Sequence, residues 1–161
     1  MSDFTHLDKD GHVRMVDVTE KQLSNRTARA QGVIHMKKST YDKIQKKALK
    51  KGNVLETARI AGIMATKKTD SLIPMCHPLN ITHAGIDFYP NEMNHEIKIV
   101  CEVRLTGKTG VEMEALTGVT IAGLTIYDMC KSEDKEMVLT DIFLLEKAGG
   151  KSGNFRRKES T

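Results

Sequence analysis

There is no tryptophan in this chain, and aromatic residues make up only 4 % of it. A protein that grips single-stranded nucleic acid needs rings on which bases can stack, so this scarcity argues against that class. No apolar run approaches the ~18 residues that a membrane-spanning helix requires. Cysteine is scarce as well. Cys76, Cys101 and Cys130 are widely spaced, and no two stand at the C-x-x-C separation that would suggest a structural zinc site or a disulfide framework. Free thiols in a reducing compartment are the simplest reading. The opening stretch, MSDFTHLDKDGH, is polar and acidic, unlike the cationic and apolar leader of a secreted protein. The expected location is the cytoplasm, and no membrane partner is expected.

What is present suits one soluble domain. The 161 residues are 39 % hydrophobic and 29 % charged, enough to bury a real core in a single unit spanning residues 1–161. The ends, about 1–12 and 150–161, are polar or glycine-rich and read as flexible. The net charge of +4 is too mild to announce nucleic-acid binding, but it is unevenly spread: KKSTYDKIQKKALKK, residues 37–51, holds seven lysines and one acid. Most of that run reads as a solvated helix face, Lys43, Lys46 and Lys47 included.

Hydrophobic periodicity lays out the elements. RTARAQGVIHMK (26–37) reads as a strand. Ser39 is placed to cap a short helix with Asp42 three residues on, Tyr41, Ile44 and Ala48 on its inner face, and Gly52 ending it. Asn53 caps a second helix, VLETARIAGIMATKK. ITHAGIDFY and EIKIVCEVRL form a hairpin over 81–105. In its second strand Ile97, Ile99, Cys101, Val103 and Leu105 face one way, while Glu96, Lys98, Glu102 and Arg104 face the other. A long helix follows from about 110 to 131, unusually small and apolar in its middle at Ala115, Gly118, Ala122 and Gly123. Its surface suits burial, often between subunits. MVLTDIFLLEK closes the chain as a strand. The order predicts an α+β sandwich with one antiparallel sheet and helices packed on one face.

Two of the three prolines, Pro74 and Pro78, fence Met75, Cys76 and His77. Each ring fixes its own φ and disfavours helix at the residue before it, so this loop is stiff. A Cys-His pair can be a nucleophile with its base, but neighbours on an extended chain point apart, and a structural Cys beside a hydrogen-bonded His is the preferred reading. Glu112 and Glu114 stand in the first turn of the long helix, where its dipole favours carboxylates. Asp128 and Lys131 share a face near its other end, with Tyr127, Met129 and Cys130 around the acid, so Asp128 is a candidate for a perturbed pKa. Glu114 and Asp128 are separated by roughly 20 Å of helix axis. No single small-molecule pocket spans that distance, so a site that uses both ends must take them from different subunits. KAGGKSG carries the flexible backbone and cations that cradle phosphates, without the spacing of a P-loop.

These motifs, LIPMCHPL, LTGKTGVEMEALTGVTIAGLTIYDMCK and KAGGKSG, occur in the order in which they resemble the MoaC family of cyclic pyranopterin monophosphate synthases. HVRMVDV, ARA and GNVLETARIAGIMATKKT look like its N-terminal half, and the likeness runs from about residue 12 to 155. Ala148 departs from the Ser or Thr that the family has before the glycine pair, which removes one candidate phosphate hydrogen bond. The resemblance implies a ferredoxin-like subunit in a homohexamer, a trimer of dimers with active sites shared at a subunit interface. It implies 3′,8-cyclo-7,8-dihydroguanosine 5′-triphosphate as substrate and cyclic pyranopterin monophosphate and diphosphate as products. By motif, Asp128 is the catalytic carboxylate, with Lys131 and Lys51 beside it. Met75, Cys76, His77, Met113, Glu114, Lys147 and Arg26 bind substrate. No cofactor and no protein-held metal is implied, and Mg2+ enters only as a phosphate counterion. An acid and a lysine with pKa values moved towards neutrality would exchange protons. The competing readings are another nucleotide triphosphate cyclase or phosphohydrolase, a basic nucleic-acid-binding module, and a scaffold for a neighbouring enzyme.

Overall fold

The computed structural model describes residues 10–49 and 51–158. The element order is β1 (Ser24–His35), α1 (Lys38–Gln45), α2 (Val54–Thr66), α3 (Thr69–Leu72), β2 (His83–Asn91), β3 (Glu96–Gly107), α4 (Glu112–Cys130), β4 (Val138–Ala148) and β5 (Phe155–Arg156). The strands form one antiparallel sheet in the order β2-β3-β1-β4-β5. β1 runs its full length beside β3, from Ser24 opposite Gly107 to His35 opposite Glu96. With helices between β1 and β2 and between β3 and β4, this is a ferredoxin-like α+β sandwich with one added edge strand, the fold class that the sequence indicates.

The inner face of β3 buries Ile97, Ile99, Cys101, Val103 and Leu105, each at most 3 % exposed. The two-residue alternation therefore marks the side on which the helices lie. α4 covers that face with Ala115, Val119, Ala122 and Ile126, all fully buried. Its small residues are used inside the chain. A Cβ on Gly118 would come within 2.7 Å of the Cys101 sulfur, and one on Gly62 of α2 within 2.8 Å of the Gly118 carbonyl oxygen. The stripe that suggested contact between subunits is thus the seat of α2 and the sheet. What α4 leaves uncovered is Met113 and Leu124, with Asp128 further along.

Three local expectations are corrected. Ser39 lies inside α1 rather than capping it. The N-cap is Lys37, whose amide donates to the carboxylate of Asp134, 2.8 Å away, on the turn after α4. A remote acid therefore does what the local Ser/Asp pattern seemed to offer. The same helix stops at Gln45, well before Gly52, because Lys47 turns into the left-handed region at φ 52°. Ala48 is exposed and Leu49 takes the buried place. The C-terminal tail, read as loose, supplies β5, paired with Glu146 and Lys147 of β4. Residues 1–9, which hold most of the other expected loose end, lie outside the described residues. Asn53 does cap α2, accepting from the Glu56 amide at 3.3 Å.

Candidate active site

The N-terminal end of α4 meets the proline-fenced loop. The Cys76 amide donates to the Ile73 carbonyl at 3.0 Å, folding Pro74–Cys76 into a turn. That turn brings Met75, Cys76 and His77 into the lining of a cavity of about 290 Å3, together with Met113, Glu114, Val16 and Val18. The Nε2 of His77 lies 2.8 Å from the Val16 carbonyl oxygen. A carbonyl only accepts, so Nε2 carries the proton.

Glu114 is turned inward and only 4 % exposed. Burial pushes its carboxyl up to about 7, against its own backbone amide, and the charges of Glu112 and Asp70 push the same way. A group read first as a dipole cap is thus a carboxyl poised to hold or release a proton at neutral pH. Cys76 is also raised, by burial first and then by the Glu114 and Asp70 charges. A neutral thiol is a poor nucleophile, which fits Cys76 as wall rather than attacking group.

A second cavity, about 730 Å3, adjoins the first and shares Lys21, Thr109 and Gly110 with it. Arg26 reaches into it from β1, donating to the carbonyls of Gly107 and Lys108 at 3.4 Å each. Its guanidinium packs close to Gly150, where a Cβ would stand 1.5 Å from it. The φ of 80° at Gly150 favours glycine there. Lys147 points its ammonium towards Glu112 at 3.7 Å and donates to the Ser152 hydroxyl.

The other predicted residues are at the far end of α4. The Lys131 ammonium is 2.6 Å from the Asp128 carboxylate, and Lys51, arriving from the loop after α1, donates to the Asp128 backbone carbonyl at 3.0 Å. Hydrogen bonding and charge from Lys131, then Lys51, hold the Asp128 carboxyl below its usual range, and Asp128 holds Lys131 above its own. Both shifts run away from neutrality, opposite to the expected direction, because both side chains are more than half exposed and each keeps its partner's charge.

One chain therefore gathers the predicted residues into two groups. Met75, Cys76, His77, Met113 and Glu114 share one cavity, with Arg26 and Lys147 beside it, while Asp128, Lys131 and Lys51 stand a helix length away. Sequence reasoning did not single out Lys21, Thr109, Gly110 or Lys108, and it weighed Glu112 only as a cap. Lys108 was readable: it sits between glycines just ahead of the long helix, where chain geometry favours anion contacts. Lys21 offers no such signal. A further hollow, about 800 Å3, lies on the outer face of the sheet among Arg29, Tyr89, Lys98, Phe143 and Arg157 and is lined by none of the predicted residues.

A ferredoxin-like fold in which a cavity holding a buried carboxyl adjoins a second cavity rimmed by cations has the layout of a small-molecule enzyme with an anionic ligand. The MoaC family model matches residues 15–150, and the chain belongs to that family. It is 59 % identical over 155 residues to the cyclic pyranopterin monophosphate synthase of Desulforapulum autotrophicum, covering 96 % of this chain and 95 % of that one. The synthase of Desulfatibacillum aliphaticivorans is 57 % identical, over 96 % and 98 % of the two chains. That of Heliobacterium modesticaldum is 50 % identical, over 99 % and 100 %.

Proposed function

We propose that the chain catalyses the reaction for which its relatives are named, converting 3′,8-cyclo-7,8-dihydroguanosine 5′-triphosphate to cyclic pyranopterin monophosphate with release of diphosphate, an early step of molybdenum cofactor biosynthesis. The observation that carries it is the meeting of Met75–His77 with Met113 and Glu114 in one cavity, from stretches far apart in sequence. The family motifs thus converge in space as one binding site would require.

The residue types suit the chemistry. The substrate's triphosphate carries roughly −4, which cations must neutralise as diphosphate leaves. Its ring system is opened and rebuilt by proton transfers. A sugar hydroxyl then attacks the α-phosphorus: the new O–P bond closes the cyclic phosphate, the α–β bridge breaks, and the hydroxyl proton passes to a base. Glu114, at about 7, is tuned to exchange a proton at the base-derived end. Asp128 is the catalytic carboxylate, with Lys131 and Lys51 stabilising charge around it. Any Mg2+ travels with the phosphates as part of the substrate, and no resident cofactor is required.

The division of these residues between the ends of α4 supports an antiparallel arrangement of two copies within a hexamer. Each Asp128 group would then face the other copy's His77 and Glu114. Covering Asp128 and Lys131 in that way removes water from both and moves their pKa values back towards neutrality. We place the enzyme in the cytoplasm, in keeping with its free thiols.

Supplying the cyclised dihydro-GTP and following products by mass spectrometry tests the reading. Cyclic pyranopterin monophosphate and equimolar diphosphate are expected. Turnover of ordinary nucleoside triphosphates instead would favour a different cyclase or phosphohydrolase.

A further inference from the structure

We infer that the outer face of the sheet carries a second reactive site. There the Thr140 hydroxyl, with His35 as its base and Glu96 orienting that base, takes an acyl group from a small ester whose leaving group is a planar anion. This site is independent of the synthase reading.

Three strands bring the groups together. His35 of β1 stands opposite Glu96 of β3, and Thr140 lies on the other side of β1, on β4. Their sequence neighbours Ile34 and Ile97 are fully buried on the helix side, so His35 and Glu96 face away from the helices. The Nδ1 of His35 is 3.2 Å from the Glu96 carboxylate, and its Nε2 is 2.9 Å from the Thr140 Oγ1. A carboxylate only accepts, so in the neutral ring Nδ1 carries the proton and Nε2 can take one from the hydroxyl. Glu96 is held in turn: its other oxygen accepts from the side-chain amides of Asn91 at 3.0 Å and Asn94 at 3.3 Å. A hydroxyl, a base within reach of it and a third group fixing the base are the parts of an activated nucleophile.

The backbone is bent at the same place. Gln31 pairs with Phe143 and Val33 with Thr140, so β4 holds one extra residue there. Asp141, in that bulge, takes φ 52°, a conformation that side-chain-bearing residues adopt at a cost. Bulges of this kind re-aim side chains beside reactive sites. Here the Asp141 carboxylate lies 3.0 Å from the Thr140 hydroxyl, a second acceptor for the same proton. His95 also takes a positive φ, 50°, and its carbonyl accepts from the Met36 amide at 3.0 Å, tying the turn before Glu96 to the end of β1.

Asp141 lines the 800 Å3 hollow on this face, so the hydroxyl stands at the edge of that hollow. Two rings in it each carry a cation: Arg157 lies 4.4 Å from the Phe143 ring and Lys98 5.2 Å from the Tyr89 ring. Arg29 and Lys158 add positive charge against Asp141. A flat anion can stack on such rings while the cations offset its charge. In the transfer, Oγ1 bonds to the acyl carbon and its proton passes to Nε2. The bond from the acyl carbon to the leaving oxygen then breaks, and the imidazolium returns the proton to the departing phenolate.

The test uses 4-nitrophenyl acetate on the full chain, with peptide mapping of the acetyl group by mass spectrometry. Thr140 should be acetylated about tenfold or more faster than Thr106, an exposed threonine of β3 that bonds Asn25 instead of a base. His35→Gln should slow acetylation of Thr140 by about 10²-fold, the contribution of one general base. Glu96→Gln should slow it as well, because a side-chain amide facing Nδ1 favours the tautomer whose Nε2 carries the proton. It also decides the matter should His35→Gln fail to fold. Thr140 labelled no faster than Thr106, or at an unchanged rate in the folded variants, would overturn the inference.

Discussion

The side-chain ammonium of Lys51 donates to the backbone carbonyl of Asp128 across 3.0 Å, joining the loop after α1 to the last turn of α4. Lys131 completes the group at 2.6 Å from the Asp128 carboxylate. Two cations therefore surround one acid whose own side chain remains open to an incoming ligand.

Asp128→Asn should abolish most turnover, by about 10²-fold or more if the carboxylate is a general acid or base. The fold should survive, because the side chain is 63 % exposed and its ion pair is with Lys131 on the same helix end. Steady-state product formation together with circular dichroism checks both halves. Normal turnover in the folded variant would remove Asp128 from the chemistry. Indifference to this substitution, with steep salt-sensitive binding of nucleic acid, is what a basic binding module would give.

Glu114 sets a pH dependence of stability. Its folded pKa of about 7 lies above the ordinary glutamate value of 4.5. The folded state therefore binds the proton more tightly, and the associated stability is complete below about 4.5 and lost as the pH rises through 7. The loss is at most about 3.4 kcal/mol at 1.36 kcal/mol per pKa unit. Glu114→Gln should be more stable than wild type at pH 8 and close to it at pH 5, by urea denaturation. An unchanged difference between the two pH values would show that the carboxyl is not buried as described.

Asp134 is the clasp behind the Lys51–Asp128–Lys131 group. Its carboxylate accepts from the Lys37 amide at 2.8 Å and the Glu136 amide at 3.0 Å, and no part of the side chain is exposed. Burial pushes its pKa up, but the amides of Lys37 and Glu136 outweigh that and leave it below the usual range. Asp134→Ala strands those donors and should cost about 1–3 kcal/mol. It should also lower kcat more than it raises KM, because the turn it fixes begins at Lys131. A double-mutant cycle with Lys51→Ala separates the effects: the kcat losses should be less than additive, while the stability losses add.

Much of this was legible before any coordinates. The alternation in EIKIVCEVRL fixed the inner face of the sheet, because a strand's period of two leaves only one way to bury five apolar side chains. The prolines around Met75–His77 marked a rigid wall for the same local reason. Features that depend on distant partners were not legible. Nothing near Lys37 announces that Asp134 will cap its helix. The glycines of α4 look the same whether they meet a neighbouring chain or, as found, α2 and Cys101. The directions of the Asp128 and Lys131 shifts follow from exposure, which sequence does not supply. The inward turn of Glu114 is likewise a matter of packing, and a first-turn glutamate is more simply read as a cap.

The claim on which the rest depends is that the two ends of α4 serve one site only when two copies meet. Glu114→Ala and Asp128→Ala should each be inactive alone. Mixed under conditions that exchange subunits, they should recover product formation, towards about a quarter of the wild-type rate for random pairing across a two-fold interface. Recovery near that level is the predicted result. Continued inactivity, with subunit exchange verified by labelled chains, would contradict the account.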